Sequence, residues 1–346
     1  MNGRPKITRS ERVLVTGAGG FIGHHLARFL VGKGFRVRGV DLVPPAYEPT
    51  AAHEFALLDL RRWENCREAV RGIHHVYNLA ANMGGIGFIE TVHAEIMRDN
   101  VLINAHMLEA ARAEGVRRFF FSSSACVYPT YHQTTPDAEG LKESGAYPAD
   151  PDNDYGWEKL YTERMCLAYR GDWGLETRIA RFHNIYGPLG TFDGGREKSP
   201  AAVCRKVALA RPGDAIEVWG DGTQTRSYCY VDDCLEGIWR LMGSDFAEPL
   251  NIGSDRKLSI NDLVHLAARI ARKKVRLVHD LSKPQGVRGR NSDNTLVRRV
   301  LGWEPPTALD VGLERTYRWI LAELRAHGRD RGAAKQASVR PELVTA

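Results

Sequence analysis

The chain has 346 residues, 43% hydrophobic and 26% charged, with 48 Lys and Arg against 42 Asp and Glu for a net charge of +6. Those proportions exclude a disordered or fibrous chain and fit a soluble globular enzyme with an ample core, in one large or two modest domains. The excess of positive charge points to an anionic partner, and phosphate on a small molecule satisfies it as well as nucleic acid does.

In chain order, the basic start MNGRPKITRSER has no apolar core behind it and does not read as a signal peptide. RVLVTG (12–17) is a short apolar strand running into glycines, and FIGHHLARFLVGKG (21–34) is a helix closed by Gly34. FRVRGVD (35–41) is a second strand ending in an acid, and HHVYNLA (74–80), RRFFFSSS (117–124) and LETRIARF (175–182) are further strands. Helical patterns cover 88–113 and 155–170. This alternation predicts an α/β fold with a doubly wound parallel (Rossmann) sheet.

After 183 the rhythm breaks into Gly/Pro-rich loops, and 228–253 is expected to return to the sheet. The expected domains are 11–182 with 228–254 for the dinucleotide and 183–227 with 255–327 for the substrate. The cluster Arg272, Lys273, Lys274 and Arg276 reads as a solvated helix end. An amphipathic helix over 308–327 precedes a polar tail, 328–346, expected to lack fixed structure. No run reaches the ~18 apolar residues of a membrane span. The six cysteines form no CxxC pair and no metal-ligand spacing, as expected of reduced thiols in a cytoplasmic protein without a metal site.

Gly17, Gly20 and Gly23 in GAGGFIG stand at the turn from strand to helix, with Phe21 and Ile22 opening the helix. The first glycine permits the turn, the second lets a pyrophosphate approach the helix N-terminus, and the third lets helix pack on strand. Asp41 ends the next strand, where a carboxylate hydrogen-bonds a ribose 2′-hydroxyl and repels a 2′-phosphate, so NAD is favoured over NADP. Asp59 reads equally as a contact to the adenine and as an ordinary helix N-cap.

The stretch SSSACVYPTYH (122–132) ends a strand with Ser124, Ala125 and Cys126. DYGWEK (154–159) puts Tyr155 and Lys159 four residues apart on one helical face. An ammonium beside a tyrosine favours the phenolate, which can take a hydroxyl proton while a hydride leaves the same carbon, with Ser124 orienting that hydroxyl. Each feature also has an ordinary structural reading: Cys126 as a small buried hydrophobe, Tyr155 and Lys159 as a surface pair.

TGAGGFIG, the SSS strand end and YxxxK together resemble the extended short-chain dehydrogenase/reductase family, whose members mostly act on nucleotide sugars. NLAANMGGIGF (78–88), SSACVYP (123–129), RFHNIYGP (181–188), GGREKSPAAVCRK (194–206), WGDGTQTRS (219–227) and GVRGRNSDN (286–294) are similar to the GDP-mannose 3,5-epimerase branch of it. The likeness runs from about 12 to 320. It implies transient oxidation at C4 of GDP-mannose by NAD, inversion at C3 and C5, and re-reduction to GDP-L-galactose, with GDP-L-gulose possible.

The resemblance further implies that Cys126 and Lys198 transfer the protons. Lys198 donates efficiently only if burial or cationic neighbours lower its pKa, and Arg196 and Lys206 are candidate neighbours. Arg290 and Asn184 match the diphosphate contacts, Gln224, Arg226 and Lys206 the nucleotide side and Gly84 a close approach to the sugar, with Ala125, Glu197, Ser199 and Ser227 as further substrate contacts. Ser199 stands where the family has alanine. The likeness implies a homodimer formed by the helices over 88–113 and 155–170, with no nucleic-acid or membrane partner. His183 reads as structural. The rivals are a GDP-fucose-synthase-like epimerase/reductase, which consumes NADPH, another nucleotide-sugar epimerase, a 4,6-dehydratase, and a non-catalytic NAD-binding protein.

Overall fold

The computed structural model describes residues 10–328, so the expected tail beyond Gly328 lies outside the described residues. The chain opens with β1 (Arg12–Thr16), α1 (Phe21–Gly32), β2 (Arg36–Asp41), β3 (Glu54–Leu57), α2 (Trp63–Val70) and β4 (His75–Asn78). It continues through α3 (Ile86–Ile89), α4 (Ala94–Ala113), β5 (Arg118–Ser124), α5 (Asp154–Trp173) and β6 (Glu176–Phe182). Later come β7 (Ile185–Tyr186), α6 (Ser199–Leu209), β8 (Ala215–Trp219), β9 (Thr225–Ser227), β10 (Cys229–Tyr230), α7 (Val231–Met242) and β11 (Leu250–Ile252). The last elements are β12 (Lys257–Ser259), α8 (Ile260–Ile270), β13 (Arg276–Asp280), β14 (Gly289–Arg290), α9 (Thr295–Leu301) and α10 (Leu309–Ala326).

Seven strands form one parallel sheet in the order β11-β6-β5-β4-β1-β2-β3. Val13, Leu14 and Val15 of β1, like Phe119, Phe120 and Phe121 of β5, are wholly buried, because helices cover both faces. Leu14, Val40, Val76 and Phe121 pack towards α2, α4 and α5, whereas Val13, Val15, Val37 and Phe120 join a core shared with α1, α7 and the later elements. The strand order reverses between β1 and β4, where ligands bind in sheets of this kind. β11 returns to the sheet beside β6, as the sequence predicts for 228–253.

The helix expected over 88–113 is interrupted. Thr91 Oγ1 donates to the Gly87 and Phe88 carbonyls at 3.0 and 3.1 Å, ending α3, and the long helix begins only at Ala94. β3 and α2, with 4 and 8 residues, are too short for periodicity to reveal. Outside the main sheet, β12-β9-β14 form a small mixed sheet, with β13 on β8 and β10 on β7 as separate parallel pairs. α6, α8 and α10 pack together beside them. Lys273, from the basic cluster, is not solvated. Its Nζ donates to the Val207, Ala208 and Ala210 carbonyls at 2.9, 2.7 and 2.8 Å, satisfying the C-terminus of α6.

A buried ion pair fixes the tips of β5 and β6 against α5. Arg181 and Glu163, 3% and 2% exposed, meet at 2.7 Å. Ser123 Oγ donates to the same carboxylate, and Arg181 Nη1 donates to Tyr128 Oη at 3.2 Å and the Glu143 carbonyl at 2.9 Å. Glu163→Gln leaves the guanidinium buried without its counter-charge and is expected to destabilise the fold by about 3–5 kcal/mol. Urea denaturation tests this as a lower midpoint at unchanged m-value.

Candidate active site

A cleft of about 810 Å³ opens at the C-terminal ends of β1, β4 and β5. Its floor is the turn 17–23. A Cβ on Gly23 would lie 2.0 Å from the Gly17 carbonyl oxygen, so helix and turn can close only on glycine. Gly17 itself has φ +68°, in the left-handed region that glycine tolerates. α1 starts after Gly20 with no side-chain cap, so its first N–H groups face the cleft unspent, as an anion site requires.

Asp41 stands at the cleft lip, where its Oδ2 accepts from the Gly19 N–H at 2.9 Å and its Oδ1 from the Leu42 N–H at 2.6 Å. A carboxylate offers about four acceptor sites, so Asp41 can still take ribose hydroxyls. Asp59 also lines the cleft, but it does not cap α2, whose N-cap is Arg62. Its carboxylate is paired with Arg61 at 2.9 Å, and that hydrogen bond holds it below the ordinary aspartate range. The glycine cradle, the uncapped helix end and the acid at the lip fit a dinucleotide whose adenosine ribose carries a free 2′-hydroxyl. Gly19, not singled out by the sequence, serves Asp41 through its backbone, which no side-chain signal betrays.

Deeper in the cleft stand Ser124, Tyr155, Lys159 and Lys198. α5 begins with Asn153 as N-cap, its side chain accepting from the Gly156 N–H at 2.9 Å. A Cβ on Gly156 would lie 2.2 Å from the Cys126 carbonyl oxygen, so the helix start presses directly on the turn after β5. That contact brings Tyr155 to Ser124 and Cys126. Ser124 caps the turn Ala125–Val127, its Oγ accepting from the Cys126 N–H at 3.1 Å.

Lys159 is 1% exposed, with Nζ 3.4 Å from Glu158 and 5.3 Å from the centre of the Tyr155 ring. The ammonium does not dominate the tyrosine as the sequence suggested. Burial pushes the Tyr155 phenol well above its ordinary value, Glu158 and Cys126 push the same way, and only the hydrogen bond with Ser124 opposes them. Glu158, held by Asn100 Nδ2 at 2.9 Å, is itself raised by burial.

Lys198 sits at the N-cap of α6. Its pKa is lowered, chiefly by burial, with Cys126 and Cys234 opposing. The neighbours expected to lower it do other work: Arg196 lies 3.9 Å over the Phe88 ring and Lys206 is ion-paired with Glu217 at 3.1 Å. The Lys198 loop is held by its neighbours, the Gly85 N–H donating to the Arg196 carbonyl at 3.0 Å. Gly84, also on the cleft wall, packs on Phe88.

Cys126, Arg226 and Arg290 stand outside the cleft lining, joined to it through Ser124 and Lys198. β9 and β14 pair in parallel with Arg226 opposite Arg290. Burial lowers the Arg226 pKa to about 10, and the positive charge of Arg290 adds to the shift. A buried and a half-buried guanidinium in register are mutually repulsive and suited to an anion between them. Arg290 Nη1 reaches the Cys126 sulfur at 3.3 Å, a contact the sequence reading, which set Arg290 on the diphosphate, did not foresee.

Gln224 Oε1 and Ser227 Oγ nearby are buried without a hydrogen-bond partner. Asn184, at φ +46°, donates to the Ser227 carbonyl at 2.9 Å. Glu197 accepts from Arg205 at 3.1 Å, and Ser199 Oγ is 2.9 Å from Tyr228 Oη. Ala125 is buried. His183 is buried on Asn251 at 3.0 Å, and burial lowers its pKa to about 3, a structural histidine. Lys206, held by Glu217, is not brought into this group.

The NAD dependent epimerase/dehydratase family model matches residues 13–253. GDP-mannose 3,5-epimerase 1 of Oryza sativa subsp. japonica is 49% identical over 315 residues, covering 90% of this chain and 82% of that protein. A GDP-L-fucose synthase of Sinorhizobium fredii is 31% identical over 314 residues, 89% of this chain and 94% of that one. Among solved structures, the UDP-glucose 4-epimerase of Thermotoga maritima with UDP-glucose superposes with a TM-score of 0.81 at 25% identity, covering 90% and 99% of the two chains.

The half-buried, desolvated ammonium of Lys198 gives a testable signature. Its folded pKa lies below the unfolded value, so the unfolded state binds more protons and stability rises with pH between the two values. Lys198→Met is therefore expected to stabilise the fold at pH 7 by about 0.5–2 kcal/mol, with the gain shrinking as pH approaches the free-lysine value of about 10.4. Denaturation midpoints of both proteins across that range read the difference.

Proposed function

The chain belongs to the NAD dependent epimerase/dehydratase family, and we propose that within it the chain inverts C3 and C5 of GDP-D-mannose to give GDP-L-galactose, with GDP-L-gulose formed when C5 alone inverts. The observation that carries this reading is the pair Cys126 and Lys198. The cysteine sulfur lies 3.3 Å from a guanidinium, and the lysine is desolvated within electrostatic reach of it. A simple 4-epimerase needs no such pair.

Gly17, Gly20, Phe21, Ile22 and Gly23 would hold the pyrophosphate of NAD, Asp41 its ribose and Asp59 the adenine end, with Tyr155 and Lys159 on the nicotinamide side. When bound, NAD would supply the redox chemistry that turns the C4 alcohol into a transient ketone. Tyr155 exchanges the C4 hydroxyl proton and Ser124 orients that hydroxyl. Burial favours the protonated phenol, and the hydrogen bond from Ser124 is what opposes that shift and helps Tyr155 take the proton.

The ketone acidifies the C–H bonds at C3 and C5. Cys126 removes a proton from one face, and positive charge around a sulfur stabilises its anion. Lys198 delivers a proton from the other face. A lowered pKa makes its ammonium a better acid near neutral pH. The diphosphate lies between Arg226 and Arg290, with Asn184, Gln224 and Ser227 around the nucleotide and Gly84, Ala125, Glu197 and Ser199 around the sugar. Lys206 can join them only by leaving Glu217.

The 31% likeness to a GDP-L-fucose synthase keeps an epimerase/reductase as the second reading. Asp41 at the ribose position disfavours the 2′-phosphate that an NADPH-consuming enzyme must accept.

A homodimer is part of the proposal. Trp157 and Tyr161, one turn apart on α5, are 43% and 54% exposed, and Leu102 is exposed on the neighbouring α4. Two such helix pairs packed across a two-fold axis would cover this apolar face. Among the described residues no helix is long and apolar enough to cross a membrane, and the free cysteines fit a reducing cytoplasm.

The test is incubation with GDP-mannose in D₂O, with deuterium located by NMR. Label at both C3 and C5 with no net reduction of NAD is expected, and Cys126→Ser should lower the exchange rate by about 10²–10⁴-fold. Unlabelled C3 and C5 would sink the reading. Charging the proposed dimer face with Trp157→Glu and Tyr161→Glu together is expected to give monomers in sedimentation.

A further inference from the structure

Arg290 is held at three corners by residues distant in sequence. Nε donates to Gln133 Oε1 at 2.5 Å, Nη2 donates to Asp152 Oδ2 at 3.1 Å, and Nη1 points at Cys126 Sγ, 3.3 Å away. The side chain is only 9% exposed and that of Asp152 16%. Gln133 cannot turn freely, because its Nε2 donates to the Tyr128 and Pro129 carbonyls, each at 3.0 Å. Asp152 is equally fixed. Its Oδ1 accepts from Asn153 Nδ2 at 3.0 Å, and Asn153 is the N-cap of α5, the helix that carries Tyr155.

A guanidinium is planar and rigid, so anchoring two of its corners aims the third. Loss of the Asp152 corner would leave Arg290 hinged on Gln133 alone. Charge matters as much as aim. The groups facing the sulfur are Arg290 from β14, Arg226 from β9, Lys198 from the start of α6 and Tyr155 from α5. Asp152 is the carboxylate set against this collection, acting on both Arg290 and Arg226.

We propose that Asp152 is a positioning residue for Cys126: it holds Arg290 against the sulfur, and by sharing the guanidinium charge it sets how readily that sulfur becomes an anion. The inference rests on the reading of Cys126 as the proton-transfer group. In this arrangement Arg290 serves the thiol through Nη1 while one N–H on each terminal nitrogen stays available to an anion, so the same side chain links substrate phosphate to the reacting base.

The experiment is the rate of alkylation of Cys126 by iodoacetamide against pH, in the NAD-loaded enzyme without sugar nucleotide. The other five cysteines are buried and Cys126 is not, and mass spectrometry verifies the modified site. Asp152→Ala, which frees Nη2, is expected to raise the pH midpoint by about one unit. It should lower kcat about tenfold to a hundredfold, with any rise in KM from the loosened Arg290 smaller than that fall. Asp152→Asn keeps an acceptor for Arg290 but removes the competing charge, and its midpoint should fall below that of the parent protein. In an Arg290→Ala background, adding Asp152→Ala should move the midpoint no further.

A merely structural aspartate would leave the midpoint unmoved in both single variants, and that result overturns the proposal. So does a shift that persists without Arg290, or a rise in KM at unchanged kcat. Because alkylation is read without substrate, it stands apart from the D₂O test: labelling at C3 and C5 can fail while the coupling is found, and the reverse.

Discussion

The site depends on one close approach. The first turn of α5 lies so near the Cys126 carbonyl that a Cβ on Gly156 would come within 2.2 Å of it. Any other residue there would push the helix away from the tip of β5, and Tyr155 and Lys159 would leave the cleft together. The same contact lets Ser124 serve two neighbours, accepting from the Cys126 N–H while hydrogen-bonding Tyr155. Below it, the buried Arg181–Glu163 pair ties β5, β6 and α5 into one unit. Ser124 and Tyr155 are thus mounted on a strand end and a helix start, which hold geometry better than loops do.

Burial does much of the electrostatic work on this scaffold. It raises the Tyr155 phenol and lowers the Lys198 ammonium, so each favours its neutral, less costly form. Against that trend, Arg226 and Arg290 are kept charged and side by side behind Cys126. Such an arrangement is unfavourable in itself and is offset within the chain by Asp152, whose charge acts on both. The two guanidiniums proposed to hold the nucleotide sugar are therefore also the ones that face the Cys126 sulfur.

Much of this was legible in the residues, and the limit has a physical form. The strand–glycine–helix turn with Asp41 after it, the alternation of strands and helices, and the Tyr155–Lys159 spacing are local patterns governed by backbone geometry. The likeness carried by SSACVYP, GGREK and VRGRNSDN supplied Cys126, Lys198 and Arg290. The expected causes were less sound. Of the two causes expected to lower Lys198, burial is the one that acts and Arg196 and Lys206 are not, while Asp59 is not an N-cap but is paired with Arg61. The helix over 88–113 breaks at Thr91, where a side chain competes for backbone carbonyls that periodicity does not register.

By itself, then, the sequence determined which chemical groups the chain owns and how those within a few residues of each other are spaced, because strand and helix repeats convert short spacings into faces. Only the tertiary structure decided which distant groups meet. Arg290 lies 164 residues from Cys126, 157 from Gln133 and 138 from Asp152, yet it touches all three. No periodicity spans such separations. They are closed by the register of β14 on β9, by the packing of α5 on the turn after β5, and by the low-dielectric interior that gives each surviving charge its partner.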